Sequence, residues 1–310
     1  MDEHNLLVSP APHFRKKRDT QAIMLDVIIA LMPSFIAASI IFGWRALLVV
    51  SVCALTCVLC ELFFELICKR PITVGDFSAV ITGMLLGFNL PHTIPIWQAV
   101  IGSVVAIIVV KQLFGGIGKN FANPAITARI VMTVSFASSM TNYASVDGVS
   151  SATPLVNLGS NGLLSLFLGN HSGAIGETCA LAIIIGGAYL LFRRVITWHI
   201  PVAFIGTAAL LGAIAGHNPI EYILCGGLML GAFFMATDYT TSPQTSWGKV
   251  IFGIGCGAIT FLIRQFGSYP EGVSFAILIM NILTPYISAL TRKKPFGAKS
   301  RRARKMGGAK

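Results

Sequence analysis

The sequence predicts an all-α integral membrane protein of about ten transmembrane helices in two inverted halves, and three observations carry that reading. Of the 310 residues, 55% are hydrophobic and only 11% are charged. Mean hydropathy is +0.76, a balance that a soluble domain of this length does not sustain. Apolar runs recur near 24–43, 46–68, 76–90, 95–114, 122–140, 177–192, 199–216, 221–237, 248–266 and 272–290. Most approach the roughly 20 residues that a helix needs to cross about 30 Å of hydrocarbon. In lipid the backbone must satisfy its own hydrogen bonds, so the runs are read as helices. The third observation is the distribution of basic residues.

Residues 1–23 are polar, carry the cluster Arg15-Lys16-Lys17-Arg18 and lack an apolar core or small-residue cleavage site, so they are expected to stay as a cytoplasmic arm. Residues 24–140 form the first five-helix half, 141–176 an extracytoplasmic loop, 177–290 the second half, and 291–310 a basic cytoplasmic tail. With the N-terminus inside, every one of the 23 Lys and Arg falls on a cytoplasmic segment except Arg45, Arg129 and Arg264. The formal net charge of +11 is therefore topological. No nucleic-acid site is expected, and the tail is expected near anionic lipid or a partner.

The two halves echo each other. Ile81 to Asn89 ends a short apolar run ahead of Pro91 and Pro95, and Gly226 to Phe234 ends another ahead of Asp238 and Pro243. A full-length run and a glycine-rich turn follow each, Gly115-Gly116-Ile117-Gly118 in one half and residues 267–272 in the other. The closing run starts at Asn123-Pro124 in the first half and contains Asn281 and Pro285 in the second. Five passes per half is odd, so the second half starts on the opposite side and the repeat is inverted, an arrangement that places sites near the midplane.

Charged groups inside the runs are read individually. Glu61 and Glu65 lie one turn apart, and Glu65, four residues before Lys69, is expected to pair with it. Asp26 is placed in the first helical turn, where the helix dipole favours a carboxylate. Arg129 requires a carboxylate, a phosphate or free carbonyls. Cys53, Cys57 and Cys60 share a helix and read as small buried apolar residues, not as an iron–sulfur site.

The 141–176 loop holds Asp147-Gly148-Val149-Ser150-Ser151-Ala152-Thr153, followed by Pro154 and Leu155. On those residues alone Thr153-Pro154 is an ordinary helix start. The stretch nevertheless resembles the flavinylation motif of the D subunit of Rnf complexes and of the B subunit of sodium-pumping NADH:quinone reductase. That motif is Asp, two variable residues, Ser or Thr, usually Gly, then Ala and the acceptor Thr. Ser151 stands where Gly is usual. Gly115 to Ala125 and Gly231 to Pro243 resemble the same family, and the likeness covers essentially the whole chain. It implies FMN joined by its phosphate to Thr153 outside the cytoplasm by a flavin transferase, with Asp147, Ser150, Ser151 and Ala152 completing the motif. It also implies a non-covalent riboflavin, and Arg129 or a glycine turn is expected to help cradle flavin or phosphate.

The resemblance further implies a bacterial inner-membrane subunit of an ion-translocating ferredoxin:NAD+ oxidoreductase. Its partners would be the A, B, C, E and G subunits, and it would couple electron transfer to movement of Na+ or H+. The short arm favours Rnf over the quinone reductase. No GxGxxG on a βαβ unit and no four-cysteine ferredoxin pattern occurs, so neither catalytic residues nor metal ligands are assigned to this chain. The alternative from another class is a solute channel or carrier, since the five-plus-five repeat resembles that of urea transporters and fold does not fix function.

Overall fold

The computed structural model describes residues 20–143, 162–169, 171–267 and 271–292. Most of the basic arm and tail, and the whole segment from Asp147 to Thr153, lie outside the described residues. Among the described residues there is helix but no strand. Helices α1 (Thr20–Phe42) and α2 (Trp44–Ile67) turn on Gly43, whose φ of +72° suits glycine. They are followed by the short α3 (Ser78–Phe88) and by α4 (Ile96–Val104), which runs on as a π-helical stretch, Val105–Gln112. Then come α5 (Pro124–Ser135), α6 (Ala137–Thr141), α7 (Leu163–Leu168), α8 (Ala180–Phe192), α9 (His199–Ile214) and α10 (Pro219–Leu224). Helix α11 (Leu228–Leu230) continues as a second π stretch, Gly231–Met235, before α12 (Ser246–Phe266) and α13 (Val273–Thr291).

Helix falls on all ten apolar runs. By length and composition α1, α2, α12 and α13 can each cross a bilayer; α3, α4 with its π extension, α5, α8 and α9 are shorter apolar helices. Their starts follow from sequence. The Asn123 side chain accepts from the N–H of Ala125 (3.1 Å) and Ile126 (3.4 Å), with Pro124 at the first helical position. Asn218-Pro219 repeats the device at α10.

The run 221–237 departs from the single short helix expected there. Cys225 is extended, Gly226 has φ +68°, and the helix restarts at Leu228. A break inside apolar surroundings frees carbonyls that hydrocarbon cannot solvate. Arg264 on α12 answers this: its Nη1 donates to the Tyr222 carbonyl and its Nη2 to that of Cys225, both at 2.8 Å, with the guanidinium over the Tyr222 ring. Two other expectations are corrected. Glu65 accepts from the backbone N–H and the hydroxyl of Thr73, not from Lys69, because Lys69 takes a left-handed turn (φ +51°) that leaves the helix face. Helix α1 is already formed at Thr20, so Asp26 lies beyond its first turn. There it accepts from the Tyr189 hydroxyl (3.1 Å) on α8 and from Arg193 Nη2 (3.0 Å) just past the end of that helix.

Helices meet closely where glycines remove side chains, the small-residue packing that drives association in lipid. A Cβ on Gly83 would come within 2.5 Å of Ala54 Cα, sealing α3 to α2. On α12, Cβ atoms at Gly253 and Gly257 would each reach 2.9 Å from an α9 carbonyl, that of Ile200 or Phe204.

Polar contacts sort the connections into two sets. In one, Arg193 reaches Asp26, Arg70 donates to the Gln112 carbonyl (3.2 Å), Lys249 to the Thr197 hydroxyl (3.2 Å), and Thr245 meets Thr291 (2.6 Å). In the other, Arg45 donates to the His92 carbonyl (3.0 Å), Thr93 to that of Asn142 (2.9 Å), and His217 meets Gln265 (3.3 Å). These contacts join only connections that ten alternating passes put on the same side.

The seam of α9 with α12 makes a direct prediction. Gly257→Val is expected to destabilise the detergent-purified protein by about 1–3 kcal/mol through overpacking, read as a lower midpoint of thermal unfolding. Gly206→Ala, whose added Cβ meets nothing within 4 Å, is expected to leave the midpoint in place.

Candidate functional site

A cleft enters the protein on the side of Asp26, Arg70 and Lys249. Together with the open solvent it takes in, its empty space is about 830 Å³. Its apolar walls come from α1 (Met24, Val27), α3 (Ile81, Leu85), the end of α8 (Leu190) and the second π stretch (Phe233, Phe234). Two of the stretches singled out in the sequence meet here. Gly115 to Ala125 contributes Ile117, Asn120, Asn123 and Pro124, and Gly231 to Pro243 contributes Phe233, Phe234, Thr237, Asp238, Tyr239 and Thr240. Each π stretch also delivers residues to the wall, Lys111 from the first and Phe233 with Phe234 from the second. Such bulges recur at functional sites.

The polar groups of the cleft differ in charge. At one wall Lys111 Nζ lies 2.5 Å from Glu61 Oε1 and donates to Ser78 Oγ at 2.6 Å, while Gln112 Nε2 donates to the same Glu61 oxygen at 2.7 Å. Lys111 and Glu61 are 2% and 1% exposed, so the pair is sealed from lipid and from solvent. At the other wall Asp238 accepts from the N–H and hydroxyl of Thr240 (3.3 and 2.9 Å) and the hydroxyl of Thr241 (3.2 Å). Burial pushes its carboxyl above the ordinary range, and those hydrogen bonds pull it back down. Asn120 Oδ1 is buried at the wall and accepts no hydrogen bond among the described residues.

A second constellation lies deeper. Arg129 on α5 forms an ion pair through Nη2 with Glu271, and its Nη1 donates to Asn89 Oδ1 (2.8 Å) and Ser274 Oγ (3.0 Å). The carboxylate that Arg129 requires is thus Glu271, which also accepts from the Tyr143 hydroxyl at 2.7 Å. Tyr143 is the last described residue before the segment carrying Thr153, and it sits on the side of Arg45 and His92. Beside this lies the non-helical segment 171–178, whose Ile175 and Gly176 N–H groups donate to the Leu90 (3.1 Å) and Phe88 (2.8 Å) carbonyls. Its Glu177 carboxylate takes the Ala174 N–H at 3.0 Å. A Cβ on Gly227 would stand 3.0 Å from Glu177 Oε2 and 3.6 Å from Arg129 Nη1.

The two constellations are linked. Asn89 Nδ2 contacts Met235 Sδ at 3.7 Å, and Asn123 Nδ2 donates to the Met235 carbonyl at 3.3 Å. Asn281 joins in, donating to the Thr241 carbonyl and accepting from the Asn123 N–H, each at 3.2 Å. A run of polar contacts therefore leads from Tyr143 through Glu271, Arg129, Asn89, Met235 and Asn123 to the cleft.

The family model described as NQR2, RnfD, RnfE matches residues 7–297 of this chain. The chain belongs to the NQR2, RnfD, RnfE family. The D subunit of the Na+-translocating ferredoxin:NAD+ oxidoreductase complex of Acetobacterium woodii is 47% identical over 308 residues, covering 96% of this chain and 97% of that protein. The D subunit of the proton-translocating ferredoxin:NAD+ oxidoreductase complex of Clostridium ljungdahlii is 40% identical, covering 94% and 96%. The D subunit of the ion-translocating oxidoreductase complex of Stutzerimonas stutzeri is 36% identical, covering 90% and 92%.

In this member of the family, Arg129 is the one predicted site residue within the described residues. Asp147, Ser150, Ser151, Ala152 and Thr153 lie outside them. Sequence reasoning missed Lys111, Asn120, Glu271 and Glu177. Lys111 reads there only as a topological charge, although its place inside an apolar run is a signal in its own right.

Removing one partner of a buried pair leaves the other charge uncompensated. Arg129→Met is accordingly expected to cost about 3–5 kcal/mol, measured as loss of folded protein on thermal challenge in detergent. Adding Glu271→Leu to that variant should recover most of the loss.

Proposed function

We propose that the chain is the flavin-carrying D subunit of an ion-translocating ferredoxin:NAD+ oxidoreductase in the bacterial inner membrane. The observation that carries this reading is the 47% identity, spanning 96% of this chain, to a protein named as that subunit. The neighbouring A, B, C, E and G subunits would be its partners, and FMN attached to Thr153 by a flavin transferase its covalent cofactor. The relatives named above include both a Na+-translocating and a proton-translocating complex, so the coupled ion is written as Na+ or H+.

Orientation follows from charge. Excess Lys and Arg puts the side of Arg70, Arg193 and Lys249 in the cytoplasm. Tyr143 and the Thr153 segment that follows then belong to the outer face, where the transferase would act, and the cleft opens inward. A flavin supplies reversible electron uptake, while the protein supplies position and electrostatics. Two redox groups on opposite faces of one subunit would carry electrons across the membrane.

The cleft fits the second, non-covalent flavin, riboflavin. Small-molecule sites are mostly apolar with a few convergent polar groups, and the lining of the cleft has that character. Phe233 and Phe234 offer aromatic surface, Asp238 accepts from N–H or hydroxyl donors, and Asn120 Oδ1 is a buried acceptor without a donor among the described residues. Asn120, Asp238 and Lys111 would hold such a ring by its polar edge and side chain. For Arg129, a carboxylate and an amide already occupy both terminal nitrogens, which favours a tie between the two halves over a flavin or phosphate contact.

Two measurements test these assignments. With the transferase co-expressed, wild-type protein should show in-gel flavin fluorescence and the mass increment of one FMN, and Thr153→Ala should show neither. Fluorescence persisting in that variant would place the attachment elsewhere, and its absence from the wild type would favour the channel reading. Ser151→Gly should flavinylate at least as fully as wild type. Separately, acid extraction should release non-covalent flavin from wild-type protein and several-fold less from Asn120→Leu.

A further inference from the structure

We propose that Lys111 is an electrostatic positioning residue of the cleft, its buried ammonium favouring the reduced form of the ring held there. The proposal rests on the reading of the cleft as a flavin site and adds a residue that sets the flavin's behaviour. Three observations carry it. Lys111 is among the residues lining the cleft and Glu61 is not, so the cationic member of the pair is the one beside the ligand space. The ammonium is fixed on both sides, by Glu61 Oε1 at 2.5 Å and Ser78 Oγ at 2.6 Å, and Ser78 in turn donates to Asp76 Oδ1 at 2.6 Å. The π stretch ending at Gln112 lets the adjacent residues Lys111 and Gln112 both reach the same Glu61 oxygen, which holds the pair in one register.

A purely structural tie between α2 and α4 would not need this charge. Replacing a buried ion pair by apolar residues of similar volume is often neutral or stabilising, and nothing in a tie requires its cationic member to line a cleft. A fixed cation in a water-poor site instead acts where negative charge develops. In a spectroelectrochemical titration the electrode supplies two electrons and solvent one proton, taking the neutral oxidised ring to a form with one net negative charge. A cation at the wall stabilises that product relative to the oxidised ring and raises the midpoint potential.

The test uses the full chain in its detergent-purified complex, on a Thr153→Ala background so that only non-covalent flavin is read. Flavin content is measured by acid extraction and the midpoint by spectroelectrochemical titration. Lys111→Met, and Lys111→Met with Glu61→Leu as the variant that leaves no uncompensated charge, should each lower the midpoint. The expected shift is at least tenfold in the reduction equilibrium, about 30 mV for a two-electron couple. Lys111→Arg should stay near wild type. Flavin lost from the methionine variants but kept by Lys111→Arg would also show that the cleft needs the charge. A midpoint unchanged in both methionine variants, or flavin lost equally from Lys111→Arg, would overturn the role of Lys111 while leaving the flavin site standing. No extractable flavin on the Thr153→Ala background with Lys111 intact would remove the site itself and the proposal with it.

Discussion

Hydrocarbon offers no hydrogen bonds, so every interruption of a helix within this protein must be answered by another part of the chain. The breaks after α3, before α5 and between α10 and α11 are the places where this constraint acts. Each is met by a specific side chain: Asn89 on the Leu85 carbonyl, Asn123 on the amides of α5 and the Met235 carbonyl, Arg264 on the Tyr222 and Cys225 carbonyls. These residues fix where the interrupted helices end. Those ends build the cleft on one side and the Arg129 constellation on the other. The functional architecture is in this sense a by-product of satisfying backbone groups that water cannot reach.

Much of the fold was legible in the sequence because it depends on properties that vary slowly along the chain. Hydropathy located the helices, and the Asn-Pro pair at 123–124 marked a start that the structure keeps. The break at Cys225 to Gly227 was hidden because glycine pairs in apolar runs do not change hydropathy. The π stretches were hidden for a different reason: the shift of hydrogen-bond register is set by packing against other helices. Partners distant in sequence were equally out of reach. Glu61 meets Lys111 and Asp26 meets Arg193 across separations that no local pairing rule covers, and the rule that joined Glu65 to Lys69 failed when the chain left the helix at Lys69.

The site divides along the same line. Two stretches with family likeness converge on the cleft, so their roles were partly visible before their positions were. Asn120 and Asp238 lie within those stretches, whereas Lys111 lies just outside them and enters the wall only through the π register. The cleft therefore combines a likeness readable residue by residue with an electrostatic feature that exists only in three dimensions. Its cationic and anionic walls face one apolar space, which gives the site a direction as well as a shape.

The pairing of Arg129 with Glu271 spans 142 residues, and this sets a condition on how the chain is made. Ribosomes deliver α5 long before α13, so its guanidinium enters the bilayer with its eventual carboxylate still unsynthesised. On insertion scales such a charge near the centre of a helix costs about 2.5–3.5 kcal/mol. The ion-pair partner of the first half's arginine thus arrives almost at the end of the chain. A chain stopped before residue 271 lacks the carboxylate that closes the ion pair with Arg129, so the interaction tying the two halves is among the last that synthesis makes possible.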